Sequence, residues 1–189
     1  LEPGDRKLED EKEIVERATQ ALGHPPRILM SSWSPPAAQK ASGKERCRSN
    51  KDCTLKKVNG KFVYEEFGEF WKKSLEHYAK NGIVPEFVSI QNEPDFIPPD
   101  WEGCKFDPTE SEQYPGYDRA LAEVYKRVRT LLNPPKLIGA ETLGIHYSKA
   151  QNFLSALDQS MLFGMAHHIY EQGTDGIWDW RSPGPDSFI

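Results

Sequence analysis

Residues 86–95 read Glu-Phe-Val-Ser-Ile-Gln-Asn-Glu-Pro-Asp, a short apolar run that ends in a carboxyl. A Glu at the end of a strand is held by the sheet behind it and projects into the space beyond, which is the setting that general acid/base chemistry requires. Glu93 is therefore the first catalytic candidate, with Asn92 beside it. Taken alone, Asn92-Glu93-Pro94 also fits a strand that simply ends in a turn, with Pro94 as the breaker. Three further runs change that weighting. Residues 27–36 end in Trp33-Ser34-Pro35-Pro36, residues 136–144 carry Glu141, and residues 163–170 end in His168-Ile169-Tyr170. Four apolar runs thus each deliver an aromatic, a carboxyl or an imidazole at the same end.

Segments of helical period lie between these runs. Phe67, Phe70, Trp71, Ser74, Leu75 and Tyr78 fall at the spacing of one apolar stripe, and Asn81-Gly82 supplies its stop. Leu121, Val124, Tyr125, Val128, Leu131 and Leu132 repeat the pattern, closed by Asn133-Pro134-Pro135. A shorter stripe, Ala150, Phe153, Leu154 and Leu157, precedes the last run. Near the start, Ile14, Val15, Ala18 and Leu22 predict one face of a charged helix, with Asp10 and Glu13 at capping-box spacing. Strand alternating with helix in this way is the signature of a parallel α/β sheet.

Composition bounds the partners. The 189 residues make about one domain, long enough for a core. A net charge of −5 argues against nucleic acid, and no window approaches a membrane span. No leader is visible at Leu1. Aromatic residues make up 11% of the chain. Trp33 and Trp101 fall in strand-end loops and suit a ligand with flat apolar faces, such as a sugar, whereas Trp71 reads as core. His24, His77 and His146 have no motif partners and read as surface or loop residues. Cys47, Cys53 and Cys104 lie in two strand-end loops. One disulfide and one free thiol is the expected arrangement, pairing Cys47 with Cys53 or either with Cys104. A zinc site of three Cys with His167 or His168 finds no support in C-x-x-C or H-E-x-x-H spacing, so neither metal nor cofactor is expected.

In order, Trp33-Ser34-Pro35-Pro36, Val88-Ser89-Ile90-Gln91-Asn92-Glu93-Pro94 and His168-Ile169-Tyr170 resemble glycoside hydrolase family 30. More closely they resemble its xylanase branch, within the clan of (β/α)8 retaining glycosidases. The likeness runs from about Arg27 to Gly173 and includes residues 54–64. It implies an α/β fold of TIM-barrel type, present as a half-barrel of about four parallel strands and four helices. That half-barrel fills residues 1–189 with no second domain and matches barrel strands three to six.

By the same resemblance, Glu93 would be the general acid/base, protonating the glycosidic oxygen and later activating water. Asn92 would hydrogen-bond the sugar 2-hydroxyl, and Trp33 would line the sugar site. His168 and Tyr170, alternating onto one face, would orient the sugar and the nucleophile. Trp101 and Glu141 complete the substrate-binding candidates. The substrate would be xylan or a related β-glycan, and the setting extracellular.

The chain also departs from that family. The clan's nucleophile is a Glu on the seventh strand, about 5 to 5.5 Å from the acid/base, and nothing after Tyr170 resembles that strand. Residues 171–189 read as a Trp-rich loop punctuated by Pro and Gly. The first two strands and the family's β-sandwich side domain have no counterpart, since a full barrel takes about 250 residues. Glu141 is the nearest second carboxylate. It would either form an inverting pair with Glu93, about 6.5 to 9.5 Å apart, or be a structural or substrate-positioning residue of the barrel mouth; Asp95, Glu171 and Asp175 are weaker candidates. Ala37-Ala38 stands where the family has an aromatic, and the arginine loop that grips a glucuronic acid branch belongs to the eighth strand.

Half a barrel leaves two sheet edges and an apolar inner face uncovered. A partner is therefore expected: a second copy, a chain carrying the complementary strands, or the rest of a longer polypeptide. Two functions follow. The chain is part of a retaining β-glycoside hydrolase, or it is an inactive half-barrel that binds carbohydrate or assembles through Trp33, Trp101, His168 and Tyr170.

Overall fold

The computed structural model describes residues 5–50, 52–144, 147–168 and 170. The loop expected over residues 171–189, with Glu171 and Asp175, lies outside them, as does His146. In chain order the elements are α1 (Asp5–Leu22), β1 (Leu29–Ser31), β2 (Lys57–Val58), β3 (Lys61–Phe62), α2 (Tyr64–Lys80), β4 (Phe87–Ser89), α3 (Tyr117–Val128), β5 (Lys136–Thr142), α4 (Tyr147–Ala156) and β6 (Gly164–His167). One sheet runs β1-β4-β5-β6, every pair parallel. Parallel neighbours need a crossover between them, and α2, α3 and α4 supply the three. Each strand therefore lies beside its predecessor, which is the arrangement of a partial (β/α) barrel.

The helices form where the apolar stripes predict. In α2 the stripe buries Phe67, Trp71 and Leu75, and Trp71 is 2% exposed with its indole N–H on the Ile90 carbonyl at 3.1 Å. Gly68 faces α3, where a Cβ would come within 2.8 Å of the Glu123 carbonyl, so only glycine permits this approach. The helix stops at Gly82, whose φ of +82° is open to glycine. Gly82 N–H bonds Ala79 O and Ile83 N–H bonds Tyr78 O, the paired closure of a Schellman motif. Tyr117, Leu121, Val124 and Val128 of α3 meet Phe67, Trp71 and Phe106 in one core beneath Val88 and Ile90.

Three sequence expectations change. Helix α3 ends at Val128 rather than continuing to Leu132, which is 95% exposed. The tight turns Thr130 N–H to Arg127 O and Leu131 N–H to Val128 O replace the last helical turn, as the residues leading into a Pro-Pro pair favour. Helix α1 begins at Asp5, which places Asp10 and Glu13 inside it rather than at its cap. Its expected buried face is largely bare, with Ile14 and Leu22 more than half exposed. Leu29 on edge strand β1 is likewise half exposed. Among the described residues both sheet edges are unpaired.

The segment between β1 and β4 adds structure that periodicity did not announce. Asn59-Gly60, both at positive φ, form the two-residue turn of the β2–β3 hairpin, which Asn-Gly strongly favours. Of the pairings left open, Cys47 joins Cys53, and Cys104 is a buried free thiol pushed up to about 12 by burial. The bonded pair ties two loops together: Cys47 N–H bonds Trp101 O at 2.9 Å, and Lys105 N–H bonds Cys53 O at 2.8 Å. Buried Lys40 adds a third tie, its ammonium on the carbonyls of Gly103 and Glu45.

Candidate active site

The four parallel strands deliver their C-terminal residues to one end of the sheet. Glu93 follows β4, Glu141 sits in β5 and His168 follows β6. Both carboxyl residues adopt left-handed backbone, φ +46° at Glu93 and +48° at Glu141. Non-glycine residues adopt this conformation at a cost, and such outliers gather at functional sites. The two backbones are joined directly, Glu93 N–H donating to Glu141 O at 3.0 Å.

The side chains converge on one imidazole. His168 Nδ1 lies 2.6 Å from Glu93 Oε1, and Nε2 lies 3.3 Å from Glu141 Oε1. Ser31, at the end of β1, donates its hydroxyl to Glu141 Oε2 at 2.6 Å. Ser89 lies beside the same carboxylate but outside hydrogen-bond geometry, and Tyr117 stands behind it. Burial alone would raise the Glu141 carboxyl, yet hydrogen bonds from His168 and Ser31 and the nearby Ser89 dipole hold it below its ordinary value. Its hydrogen bond to Glu141 lifts His168 above its ordinary value against the pull of burial, and Glu93 adds to the lift. Burial and the Glu141 charge push the Tyr117 phenol far up, so it stays protonated.

These shifts set a pH window. A depressed carboxylate contributes stability above its unfolded value of 4.5 and loses it as pH falls through the folded value. A raised imidazole contributes fully below its unfolded value of 6.5 and loses that contribution as pH rises through the folded value. Both are complete between 4.5 and 6.5. The expected result is a thermal midpoint that peaks in this window and a flatter profile in Glu141→Gln, read by circular dichroism across pH.

Glu93 opens onto a cleft of about 420 Å³ lined by Trp33, Phe96, Trp101, Leu143 and Tyr170. Trp33 and Trp101 are 55% and 39% exposed, so their faces are available to a ligand. Buried Gln91 fixes the first, its amide donating to Trp33 O at 2.8 Å, and Phe96 packs against the second at 6.2 Å between ring centroids. Tyr170 stands edge-to-face on His168 at 5.4 Å. A larger outer cavity, about 1120 Å³, lies against α2, α3 and the hairpin, where Arg127 pairs with Glu65, Glu69 and Glu123. It lacks the histidine and carboxyl pairing of the strand-end site.

Of the residues singled out in the sequence, Glu93, Trp33, Trp101 and Tyr170 meet at the cleft, with His168 behind Glu93. Asn92 is nearly buried, its backbone N–H on Ser32 O. Glu141 is buried, with His168 and Ser31 on its carboxylate, and is not among the residues that line the cleft. Nor does it form an inverting pair with Glu93, because the His168 ring fills the space between the two carboxyls that water and sugar would need. Asp95 is also structural, accepting the Leu143 N–H at 2.8 Å. Sequence reasoning missed Ser31, Ser89, Gln91 and Phe96. Only Gln91 and Phe96 carried a signal, as close sequence neighbours of Glu93.

No protein-family model matches this sequence, and no curated protein matches it. Solved structures do. A glycoside hydrolase family 30 subfamily 8 xylanase from Clostridium acetobutylicum superposes with a TM-score of 0.63 at 22% identity, covering 87% of this chain and 38% of its own. The catalytic domain of a family 30 xylanase C from Talaromyces cellulolyticus gives 0.62 at 18% identity, covering 82% of this chain and 36% of its own. A structure described as an endo-beta1,6-glucanase gives 0.62 at 16% identity, covering 87% and 36%. At these identities the likeness establishes the fold, a partial α/β barrel. The chain spans well under half the length of the proteins it superposes on.

Proposed function

We propose that this chain carries the acid/base half of a retaining β-glycoside hydrolase, with xylan as the leading substrate. The observation that carries the reading is Glu93, set at a strand end, opening onto an aromatic cleft and held from behind by His168. The sequence likeness to family 30 and the superposition on two xylanases and a glucanase support the same class. Trp33 and Trp101 offer flat faces to sugar rings, with Tyr170 beside them in the cleft wall. Glu93 protonates the departing glycosidic oxygen, then takes a proton from the water that completes the turnover.

The second carboxylate that retention requires, about 5 to 5.5 Å from Glu93, comes from outside residues 5–170, since Glu141 is occupied beneath His168. Complementary strands, from a second copy, a separate chain or the rest of a longer polypeptide, pair with the edges at β1 and β6 that are unpaired among the described residues and cover the exposed Ile14 and Leu22 of α1. The Cys47–Cys53 disulfide fits an extracellular setting.

A binding or assembly unit is the second reading. It is favoured by Glu93 being the one carboxylate that lines the cleft among the described residues. Proton NMR of the first products released from xylan tests the enzyme reading. Reducing ends of retained β configuration are expected, and α configuration would contradict the retaining mechanism.

A further inference from the structure

We infer that Glu141 is a positioning residue for Glu93 that acts through the His168 ring, an inference that rests on the acid/base role proposed for Glu93. Glu141 cannot act on the sugar itself, because it is buried and absent from the cleft wall. It is nevertheless built into the site from three sides. Ser31 of β1 donates to one oxygen at 2.6 Å, His168 meets the other at 3.3 Å, and its own carbonyl receives the Glu93 N–H at 3.0 Å. The parallel register pairs Ser31 with Ser89 and Ser89 with Ile138, three residues before Glu141 on β5.

The chemistry follows from what the groups can donate. An ionised carboxylate only accepts, so an imidazole that bonds one on each nitrogen carries both protons. With Glu141 ionised on the Nε2 side, Nδ1–H points at Glu93 Oε1, 2.6 Å away. Glu93 Oε1 is then always an acceptor, and the proton that Glu93 delivers rides on Oε2, the oxygen left for the cleft. After that proton passes to the glycosidic oxygen, the carboxylate keeps the same Nδ1–H bond, and it regains a proton on Oε2 from water. His168 neither gains nor loses a proton in the cycle. Without the Glu141 charge the ring becomes neutral more readily, and a bare Nδ1 pulls the Glu93 proton onto Oε1, away from the sugar.

Among the described residues, the groups around the ring are few. Glu93 faces it from the end of β4, Glu141 from β5 and Tyr170 from beyond β6, while Tyr117 of α3 stands behind Glu141. Asp95 and Lys149, 3.8 Å apart, lie nearby, with Asp95 on the Leu143 amide.

The test is an NMR titration of the His168 ring in the full chain, in wild type, Glu141→Gln and Glu93→Gln, with kcat and KM recorded on xylan. The expected result is a His168 midpoint lowered by about one pH unit or more in Glu141→Gln, and one that stays raised in Glu93→Gln. Turnover by Glu141→Gln should fall with KM little changed, and the pH–rate profile should shift with the ring. An unchanged midpoint in Glu141→Gln overturns the inference, as does a midpoint that returns to the free-imidazole value in Glu93→Gln alone. If Glu141→Gln does not fold, the Glu93→Gln midpoint decides. A wild-type chain with no turnover is the expected result without the complementary strands that supply the second carboxylate; absence of turnover even with them counts against the hydrolase reading, and in either case the ring titration decides whether Glu141 holds His168.

Discussion

Glu93→Gln lowers the hydrolysis rate by about 10² to 10⁴-fold, the usual contribution of a positioned general acid/base, while the glycan affinity changes little. The substitution removes one exchangeable proton and almost nothing else. The side-chain amide oxygen still accepts from His168 Nδ1, which now lies 2.6 Å from Glu93 Oε1. Trp33, Phe96, Trp101 and Tyr170, which form most of the cleft wall, are untouched. The loss corresponds to about 2.7 to 5.5 kcal/mol of transition-state stabilisation. It therefore appears in kcat, with KM near the wild-type value, as expected for an interaction made in the transition state alone. Steady-state kinetics on a soluble xylan, with the complementary barrel strands present, read both quantities.

Trp71→Ala gives the largest expected loss of stability, about 3 to 5 kcal/mol. The indole is the bulkiest of the fully buried side chains, packed in the core with Phe67, Leu121 and Val124. Its N–H satisfies the Ile90 carbonyl at 3.1 Å, two residues before the Asn92-Glu93 pair. Truncation leaves a cavity and an unpaired carbonyl at the root of the catalytic strand. For a chain of this size the thermal midpoint falls by about 6 to 20 °C. Leu132→Ala, on a side chain almost wholly in water, stays within about 0.5 kcal/mol and serves as the control.

How much of this was legible in the sequence depended on whether the signal was local. Glu93 could be placed because the apolar run and Pro94 sit next to it, and α2 because its stripe and Gly82 lie within one segment. The end of α3 was misplaced because Leu131 and Leu132 continue the period after the chain has left the helix. The stripe of α1 is only partly covered by the described residues, with Leu8 buried but Ile14 and Leu22 largely in solvent.

The floor of the site was legible only in part. Ser31, Ser89 and Glu141 meet only through the register of β1, β4 and β5, which a single sequence does not fix. Strand order alone sets Glu141 next to Glu93, but not its partners, a hydroxyl and the His168 ring. Disulfide pairing also awaited three dimensions, since the Cys47 and Cys104 loops are brought together by long-range contacts such as those at Trp101, Gly103 and Lys105.

The central claim is that the strand-end cleft binds a β-linked glycan against its tryptophans. The most direct test follows the indole N–H signals of the five tryptophans while a β-1,4-xylo-oligosaccharide is titrated into the protein. Saturable shifts are predicted for Trp33 and Trp101, with Trp71 unmoved because its N–H is committed to Ile90 inside the core. A folded protein in which neither Trp33 nor Trp101 shifts would contradict the account.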